Sequence, residues 1–333
     1  MLSRAAVCFA LSALAVRGAD WNLRLAAQYL DSRQKEWFEW PTANSAAKPC
    51  VSCHTGMTYL LARPVLRKAL GEDTPTAYET GLLASLRSRV DKREPANSQG
   101  LGVESIMAAR FLGTADALDR MWALQLHEGA AKGAWNWFSL ELDPWETPES
   151  RFYGAAMAAV SVPANEHDRP EAQELIAYLS REQAQQPLHN RLMLVWASTR
   201  FPQALPAAAR AAIIDEVWKK QQADGSWTTE ALGPFETHPN APHAEGSNAY
   251  ATAFAAYVLQ QTAGAPNPKL ARALSWLRTH QNAECGCWPA VSMNKQFEPG
   301  SMQSKFMTDA ATSFAVLALL WQKNASPVLP AAY

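Results

Sequence analysis

The segment Ala249-Tyr-Ala-Thr-Ala-Phe-Ala-Ala-Tyr-Val-Leu259 contains no charged residue, and the segment 310–321 is equally apolar. Neither segment alternates between apolar and polar residues, so a half-buried strand is disfavoured and a helix is favoured. A helix that is apolar on every side has to be buried on every side. These two segments therefore predict helices in the interior of the molecule.

The helices that precede them have a different pattern. Residues 209–222 place Ile213 and Val217 on one face and charged residues elsewhere, and Leu270 and Leu277 mark the same pattern further along the chain. One apolar face is typical of a helix that covers a core from outside. Alternating outer and inner helices predict two concentric rings, with an alanine-rich inner ring around a central cavity. We expect an all-α fold, an (α/α)6 toroid.

An internal repeat supports this prediction. The segment 251–255 recurs at 311–315 with one change, a shift of 60 residues. A fixed period of this length is typical of stacked supersecondary units. The matching turns are Gln222 with Asp224-Gly-Ser-Trp227, Gln281 with Cys285-Gly-Cys-Trp288, a weaker copy from Gln125 to Trp135, and partial copies at Gln34 with Trp37 and at Gln183.

These turns resemble the QW motifs of squalene–hopene cyclases, whose (α/α)6 barrel is shared with protein prenyltransferase β-subunits. The resemblance is clearest over residues 209–323, and 145–159 resembles an earlier inner helix with its loop. The resemblance implies a terpenoid cyclase/prenyltransferase-like barrel, but such motifs specify a fold better than an activity. It also implies structural roles for Gln222, Trp227, Gln281 and Trp288.

The residues required for the family's activities are missing or displaced. Squalene–hopene cyclases use an Asp-x-Asp-Asp segment as acid, which this chain lacks; its acidic pair Glu141 and Asp143 is expected to solvate a loop or cap a helix. Prenyltransferases hold zinc with Asp, Cys and His. Cys285 and Cys287, with His280 as a conceivable third ligand, lie in a turn where a short disulfide or two quiet thiols are expected instead.

The sequence Cys50-Val51-Ser52-Cys53-His54 has the spacing of c-type haem attachment. In this interpretation Cys50 and Cys53 bind one covalent haem c, and His54 is the axial ligand of its iron. The alternatives are a structural disulfide, a zinc half-site and two unused thiols. Because the motif follows the first outer helix, we expect it at the rim of the toroid, before a helix over 57–70 that is interrupted at Pro64.

The sixth iron ligand is open. The methionines at a suitable distance are expected to belong to the core, an isolated loop histidine is usually solvated, and a five-coordinate iron is the remaining alternative. The candidates are Met107, Met121, His238 and His243.

The N-terminus and the composition restrict location and partners. Residues 1–18 begin with a basic residue, continue through an apolar stretch and end with small residues, which predicts a signal peptide and a periplasmic or secreted protein. The mature chain, 19–333, is expected to be a single toroid domain without a membrane span. The net charge is −1 and no basic cluster occurs, so nucleic acid is not an expected partner.

Three functions remain open from the sequence. The first is an exported c-type haem protein that performs electron transfer or haem redox chemistry, with a redox partner protein or a small apolar ligand. The second is an isoprenoid- or terpenoid-modifying enzyme without haem, and the third is a lipid-binding scaffold. Whether the protein catalyses any reaction, and on which substrate, is left undecided at this stage.

Overall fold

A computed structural model describes residues 21–43, 50–92, 99–137, 139, 143–147, 150–235, 246–262, 267–293 and 295–321. The predicted signal peptide, 1–18, lies outside the described residues. Within the described ranges the structure is helical, and the extended pairing consists of a single bridge between Thr228 and Ser247. The all-α prediction is confirmed.

Long helices alternate between an outer and an inner ring, six in each over the described ranges. The outer helices are α1 (Leu23–Glu39), α3 (Ala77–Lys92), α5 (Ala115–Ala123), α7 (Pro170–Glu182), α9 (Ala207–Lys219) and α12 (Pro268–Thr279). The inner helices are α2 (Gly56–Leu70), α4 (Gln99–Leu112), α6 (Ser150–Ser161), α8 (Leu188–Ser198), α11 (Ala249–Thr262) and α13 (Phe306–Leu320), and a single-turn helix α10 (Thr229–Leu232) lies between α9 and α11. This arrangement is an (α/α)6 toroid.

Burial separates the two rings as the sequence predicts. In α11 and α13 nearly every side chain is buried, including Phe254 and Phe314, which are fully inaccessible. In the outer helix α9 only Ile213 and Val217 are buried. Each fully buried large apolar side chain contributes about 1.5–3 kcal/mol of transfer free energy. The inner ring is therefore the main source of the hydrophobic stabilisation.

Aromatic side chains from α8, α11, α13 and the loop before α6 contact one another inside the inner ring of helices. Tyr250 lies 5.8 Å from both Phe254 and Phe314, measured between ring centroids, and Trp145 approaches Tyr250 at 5.3 Å. The Nε2 atom of His189 on α8 lies 2.7 Å from the Tyr250 hydroxyl oxygen. This cluster occupies part of the space that the sequence predicted as a central cavity.

Three of the repeated turns bind one outer helix to the next, whereas Gln34 and Gln183 of the partial copies make no such link. The side-chain amide of Gln125 donates to the carbonyls of Gly133 and Glu171, and Gln281 donates in the same way to Gly286 and Asn22. In the intervening repeat, the corresponding residue is Gln221, whose amide donates to the carbonyls of Gly225 and Lys269. The structural role predicted for Gln222 was wrong by one position, because its amide only approaches the Lys220 carbonyl at the surface.

The tryptophans of these turns donate hydrogen bonds to the last turn of the outer helix that precedes them. The Nε1 group of Trp227 donates to the carbonyl of Val217 at 2.8 Å, and that of Trp288 donates to Leu277 at 2.8 Å. Both rings are fully buried. Each indole adds a second hydrogen bond to a carbonyl of the last helical turn, which also accepts from the backbone amide of Lys220 or of His280. The structural roles predicted for Trp227 and Trp288 fit this geometry.

The ring closes between the last outer helix and the first. Gln281, at the end of α12, exchanges two hydrogen bonds with the backbone of Asn22, the residue before α1. The neighbouring turn contains a disulfide between Cys285 and Cys287, which agrees with the predicted short-loop disulfide. Among the inner helices, α13 packs against α2 and completes the inner ring.

Two further features concern single helices. Helix α2 runs without a break from Gly56 to Leu70, so the interruption predicted at Pro64 does not occur.

No helix in the described part of the chain combines the length and the apolar character that crossing a membrane requires.

Candidate functional site

The N-terminal ends of the inner helices and the loops before them form one rim of the toroid. The segment 50–54 lies in the turn between α1 and α2, at the rim as predicted. The Ser52 hydroxyl accepts hydrogen bonds from the backbone amides of Thr55 and Gly56, and thereby satisfies the open amides at the start of α2. These hydrogen bonds hold the turn against the start of α2.

His54 is buried and held on three sides. Its ring stacks on Phe306 of α13 with centroids 3.4 Å apart, and the edge of the Trp37 ring approaches at 5.6 Å. Its Nδ1 atom lies 3.0 Å from the hydroxyl of Thr55. Burial, and secondarily the charge of Arg33, lowers the pKa of His54 to about 3. The imidazole is therefore neutral at physiological pH.

Asp309, at the first turn of α13, connects the rim to α1. Its buried carboxylate accepts hydrogen bonds from the hydroxyl of Tyr29 at 2.8 Å and that of Thr55 at 2.7 Å. Arg33 donates to both oxygens, from Nε at 2.8 Å and from Nη2 at 3.1 Å. A buried charge is retained only when it is paired and hydrogen-bonded, and this carboxylate has both kinds of partner.

Glu146 faces His54 across the rim. Its Oε1 atom lies 4.0 Å from Nε2 of His54, and its side chain is about one-tenth exposed. Burial raises the pKa of Glu146 to about 7. A carboxyl group that is half protonated near neutral pH can donate or accept a proton during a reaction, and such groups occur often at active sites.

A half-open pocket lies in front of these two residues, with an interior of about 20 Å³. That volume accommodates roughly one water molecule. The pocket combines two carboxyl groups, aromatic rings and neutral polar groups. Its lining consists of His54, Asp143, Trp145, Glu146, Ser292, Phe297, Gln303, Phe306 and Met307.

The two predicted haem-binding thiols lie behind this pocket. Cys53 is buried and Cys50 is half-buried, and both are free thiols. Burial, together with the charges of Glu104 and Glu146, raises the pKa of Cys50 to about 12, and burial raises that of Cys53 well above its usual value. Both sulfur atoms are therefore protonated at neutral pH and are weak nucleophiles.

The described residues around His54 do not fit a porphyrin. Phe306 covers one face of the imidazole, and Glu146 lies opposite Nε2, the atom that would ligate the iron. Moreover, within the described ranges no three His, Cys, Asp or Glu side chains form a group that could hold a metal ion. Attachment of haem to Cys50 and Cys53 stays a prediction from the motif alone.

Of the other residues predicted as iron or zinc ligands, those that the structure describes lie in separate places. Met107 and Met121 are core residues of α4 and α5, each at most 1% exposed. His238 and His243 lie outside the described residues. His280 stacks on Trp276 at 3.9 Å, and the thiols near it are joined in the disulfide, so the conceivable zinc site of that turn does not form.

Sequence reasoning missed the acids of the rim. Asp309 was recognised only as part of the head of an inner helix, and Glu146 only as part of the loop before α6. Asp143 was expected to solvate a loop, whereas it lines the pocket together with Glu146. The available signal was their position: each precedes or begins an inner helix, and the starts of all inner helices meet at one rim.

Comparison with known proteins adds information on the fold alone. No family model matches the chain, and no curated protein matches it. Among solved structures it is similar to a polysaccharide lyase at 15% identity, over 89% of this chain and 96% of that chain, with a TM-score of 0.49. It is also similar to the α-1,6-mannanase GH76A of Salegentibacter sp. HEL1_6, at 11% identity over 90% of this chain and 100% of that chain, with a TM-score of 0.48. An inactive variant of that mannanase in complex with α-1,6-mannotriose gives 12% identity and the same TM-score over the same shares.

The geometry of the rim corrects the predicted function. Phe306 stacks on the imidazole of His54, Glu146 lies opposite Nε2, and the described residues form no group that could hold a metal ion. An exported c-type haem protein for electron transfer or haem redox chemistry is therefore the wrong function. The isoprenoid-modifying enzyme and the lipid-binding scaffold have no support either.

Proposed function

We propose that the protein is an enzyme that cleaves glycosidic bonds by acid–base catalysis, with Glu146 as the proton donor. The observation that carries this proposal is the composition of the rim pocket: two carboxyl groups, Glu146 and Asp143, beside a space for about one water. Glycoside cleavage commonly uses a pair of carboxyl groups, of which the acid has a raised pKa. Burial gives Glu146 that property.

The remaining lining supports a carbohydrate as the substrate class. Phe297 and Phe306, which are partly exposed, provide flat apolar surfaces suited to the C–H face of a sugar ring, while Ser292 and Gln303 provide donors and acceptors for its hydroxyls. A purely apolar ligand would leave the polar groups of Ser292, Gln303 and Glu146 without a polar partner from the ligand. The pocket composition therefore favours a polar ring over an isoprenoid.

The roles follow from the chemistry of the groups. Glu146 in its protonated form would donate to the oxygen of the leaving sugar, because that oxygen is a poor leaving group as an alkoxide. Asp143 would accept a proton from the attacking water or stabilise positive charge at the reacting carbon. The aromatic surfaces would hold the sugar ring in position.

Two predictions from the sequence accompany this proposal. The leader over 1–18 places the enzyme outside the cytoplasm, where polymeric carbohydrate is encountered. The Gln, Gly and Trp turns support common descent with squalene–hopene cyclase-like toroids without the activity of those proteins.

The experiment is a reducing-sugar assay on a panel of soluble polysaccharides with the wild type and Glu146→Gln. Because general acid catalysis contributes about 10²–10⁴-fold, we expect Glu146→Gln to lose at least about 100-fold in kcat. The matched control is Glu128→Gln, a change of an exposed glutamate in the turn after the outer helix α5. Full activity in Glu146→Gln, or no sugar release by the wild type on any polymer, would contradict the proposal.

A further inference from the structure

The hydrogen bonds that Asp309 accepts determine which ring nitrogen of His54 carries the proton. An ionised carboxylate only accepts hydrogen bonds. Burial raises the pKa of Asp309, whereas two hydrogen bonds from Arg33, which is always protonated, stabilise its ionised form. The hydroxyl of Thr55, at 2.7 Å from Oδ2, must therefore be a donor to Asp309.

The same argument extends one bond further. A hydroxyl group has a single hydrogen, and that of Thr55 is committed to Asp309. The contact of 3.0 Å between Thr55 Oγ1 and His54 Nδ1 then requires Nδ1 to be the donor. His54 consequently carries its proton on Nδ1.

The Nε2 atom is left as an acceptor. A 180° flip of the ring would keep the stack on Phe306 but would place Cδ2 opposite Thr55 Oγ1 and lose the hydrogen bond of Nδ1. The neutral state of the buried imidazole leaves a lone pair on Nε2, and this lone pair points to the side on which Glu146 Oε1 lies at 4.0 Å. A small rotation of the Glu146 side chain, or one bridging water, would connect the two atoms across this distance.

We propose that Asp309 and Thr55 act as positioning residues that fix His54 as a proton acceptor facing Glu146. In this arrangement the protonated carboxyl of Glu146 has an acceptor that orients its hydrogen, whereas the opposite tautomer would donate to Glu146 and favour its ionised form. The role of this arrangement in catalysis rests on the proposed function. The tautomer of His54 follows from the contacts alone.

The test is two-bond ¹H–¹⁵N NMR of the histidine rings in the full-length protein, with His54 assigned by the loss of its signals in His54→Asn. In the wild type we expect a protonated, pyrrole-type Nδ1 and an unprotonated, pyridine-type Nε2 at neutral pH. Thr55→Val removes the acceptor at nearly constant volume, so we expect the proton to move to Nε2. Thr55→Ser keeps the hydroxyl and is the matched control, with the wild-type pattern.

Activity provides the second readout. Thr55→Val should lower kcat about tenfold with KM little changed, while Thr55→Ser stays near the wild type. A wild-type spectrum with the proton on Nε2, or an unchanged tautomer in folded Thr55→Val, would overturn the inference. If the spectra follow the expectation while Glu146→Gln keeps full activity, the tautomer assignment stands and the proposed function fails.

Discussion

At the scale of single residues, the rim combines a buried acid with a buried neutral base. Glu146 and His54 have pKa values displaced in opposite directions by the same cause, which is loss of contact with water. At neutral pH an uncharged imidazole and a partly protonated carboxyl therefore lie 4.0 Å apart. This combination supplies a proton near pH 7 without a buried unpaired charge.

The raised pKa of Glu146 predicts a pH dependence of stability. Its folded pKa of about 7 lies above the ordinary value of 4.5. The folded state thus holds the proton more tightly, so the stability that protonation provides is complete below about pH 4.5 and is lost as the pH rises through 7. At 1.36 kcal/mol per pKa unit, the shift corresponds to a loss of roughly 3 kcal/mol.

Glu146→Gln should remove that dependence. We expect urea unfolding to give similar free energies for the variant and the wild type near pH 5, and a more stable variant at pH 9. His54 has the opposite dependence, since its lowered pKa costs stability as the pH falls below about 6.5, but both proteins share this contribution. A difference between the two proteins that stays constant from pH 5 to 9 would contradict the burial of an ionisable group at this position.

The sequence located the rim turn through a motif whose predicted role in electron transfer or haem redox chemistry was wrong, while haem attachment there stays a prediction. The spacing of Cys50, Cys53 and His54 correctly marked the rim turn, because unusual residues concentrate where the chain changes direction at a functional end. It could not show that Phe306, from a helix some 250 residues later, covers the imidazole. Such long-range contacts have no signature in a single sequence.

At the scale of elements, a glutamine connects consecutive outer helices in three of the repeats, through Gln125, Gln221 and Gln281. Gln221→Ala would leave the carbonyls of Gly225 and Lys269 without their donor. We expect a loss of about 1–2 kcal/mol in the free energy of unfolding. Gln222→Ala, one position away and at the surface, should change it by less than about 0.5 kcal/mol. Equal effects of the two substitutions in urea unfolding would contradict the assigned role.

The inner and outer helices were predictable because their apolar patterns differ over many residues. The exact glutamine was not, since Gln221 and Gln222 are adjacent and the spacing between repeats varies by a residue. Only Gln221 points its amide at the next outer helix, as Gln125 and Gln281 do. A pattern of residue types does not distinguish two neighbours of the same type.

At the scale of the whole molecule, closure of the ring depends on the turn at 285–287. In the preceding repeat Asp224 accepts hydrogen bonds from the backbone and hydroxyl of Ser226. The disulfide between Cys285 and Cys287 occupies the corresponding positions. A covalent bond thus replaces a hydrogen-bonded link in the turn that contacts α1.

This correspondence predicts a rescue. Replacing both cysteines by alanine should cost about 1.5 kcal/mol, the chain-entropy value for so short a loop. Cys285→Asp combined with Cys287→Ser should recover much of that loss, because it restores the hydrogen bonds of the preceding repeat. Thermal unfolding followed by circular dichroism measures both, and an Asp/Ser variant no more stable than the alanine pair would contradict the equivalence.

The most direct test of Glu146 as proton donor is the rate of cleavage across a series of aryl glycosides of an accepted sugar. If Glu146 protonates the leaving oxygen, the wild type should depend weakly on the pKa of the departing phenol. Glu146→Gln should depend on it steeply, with near-normal cleavage only for the most acidic phenols. Parallel dependences in the two proteins would contradict the assignment of Glu146 as the acid.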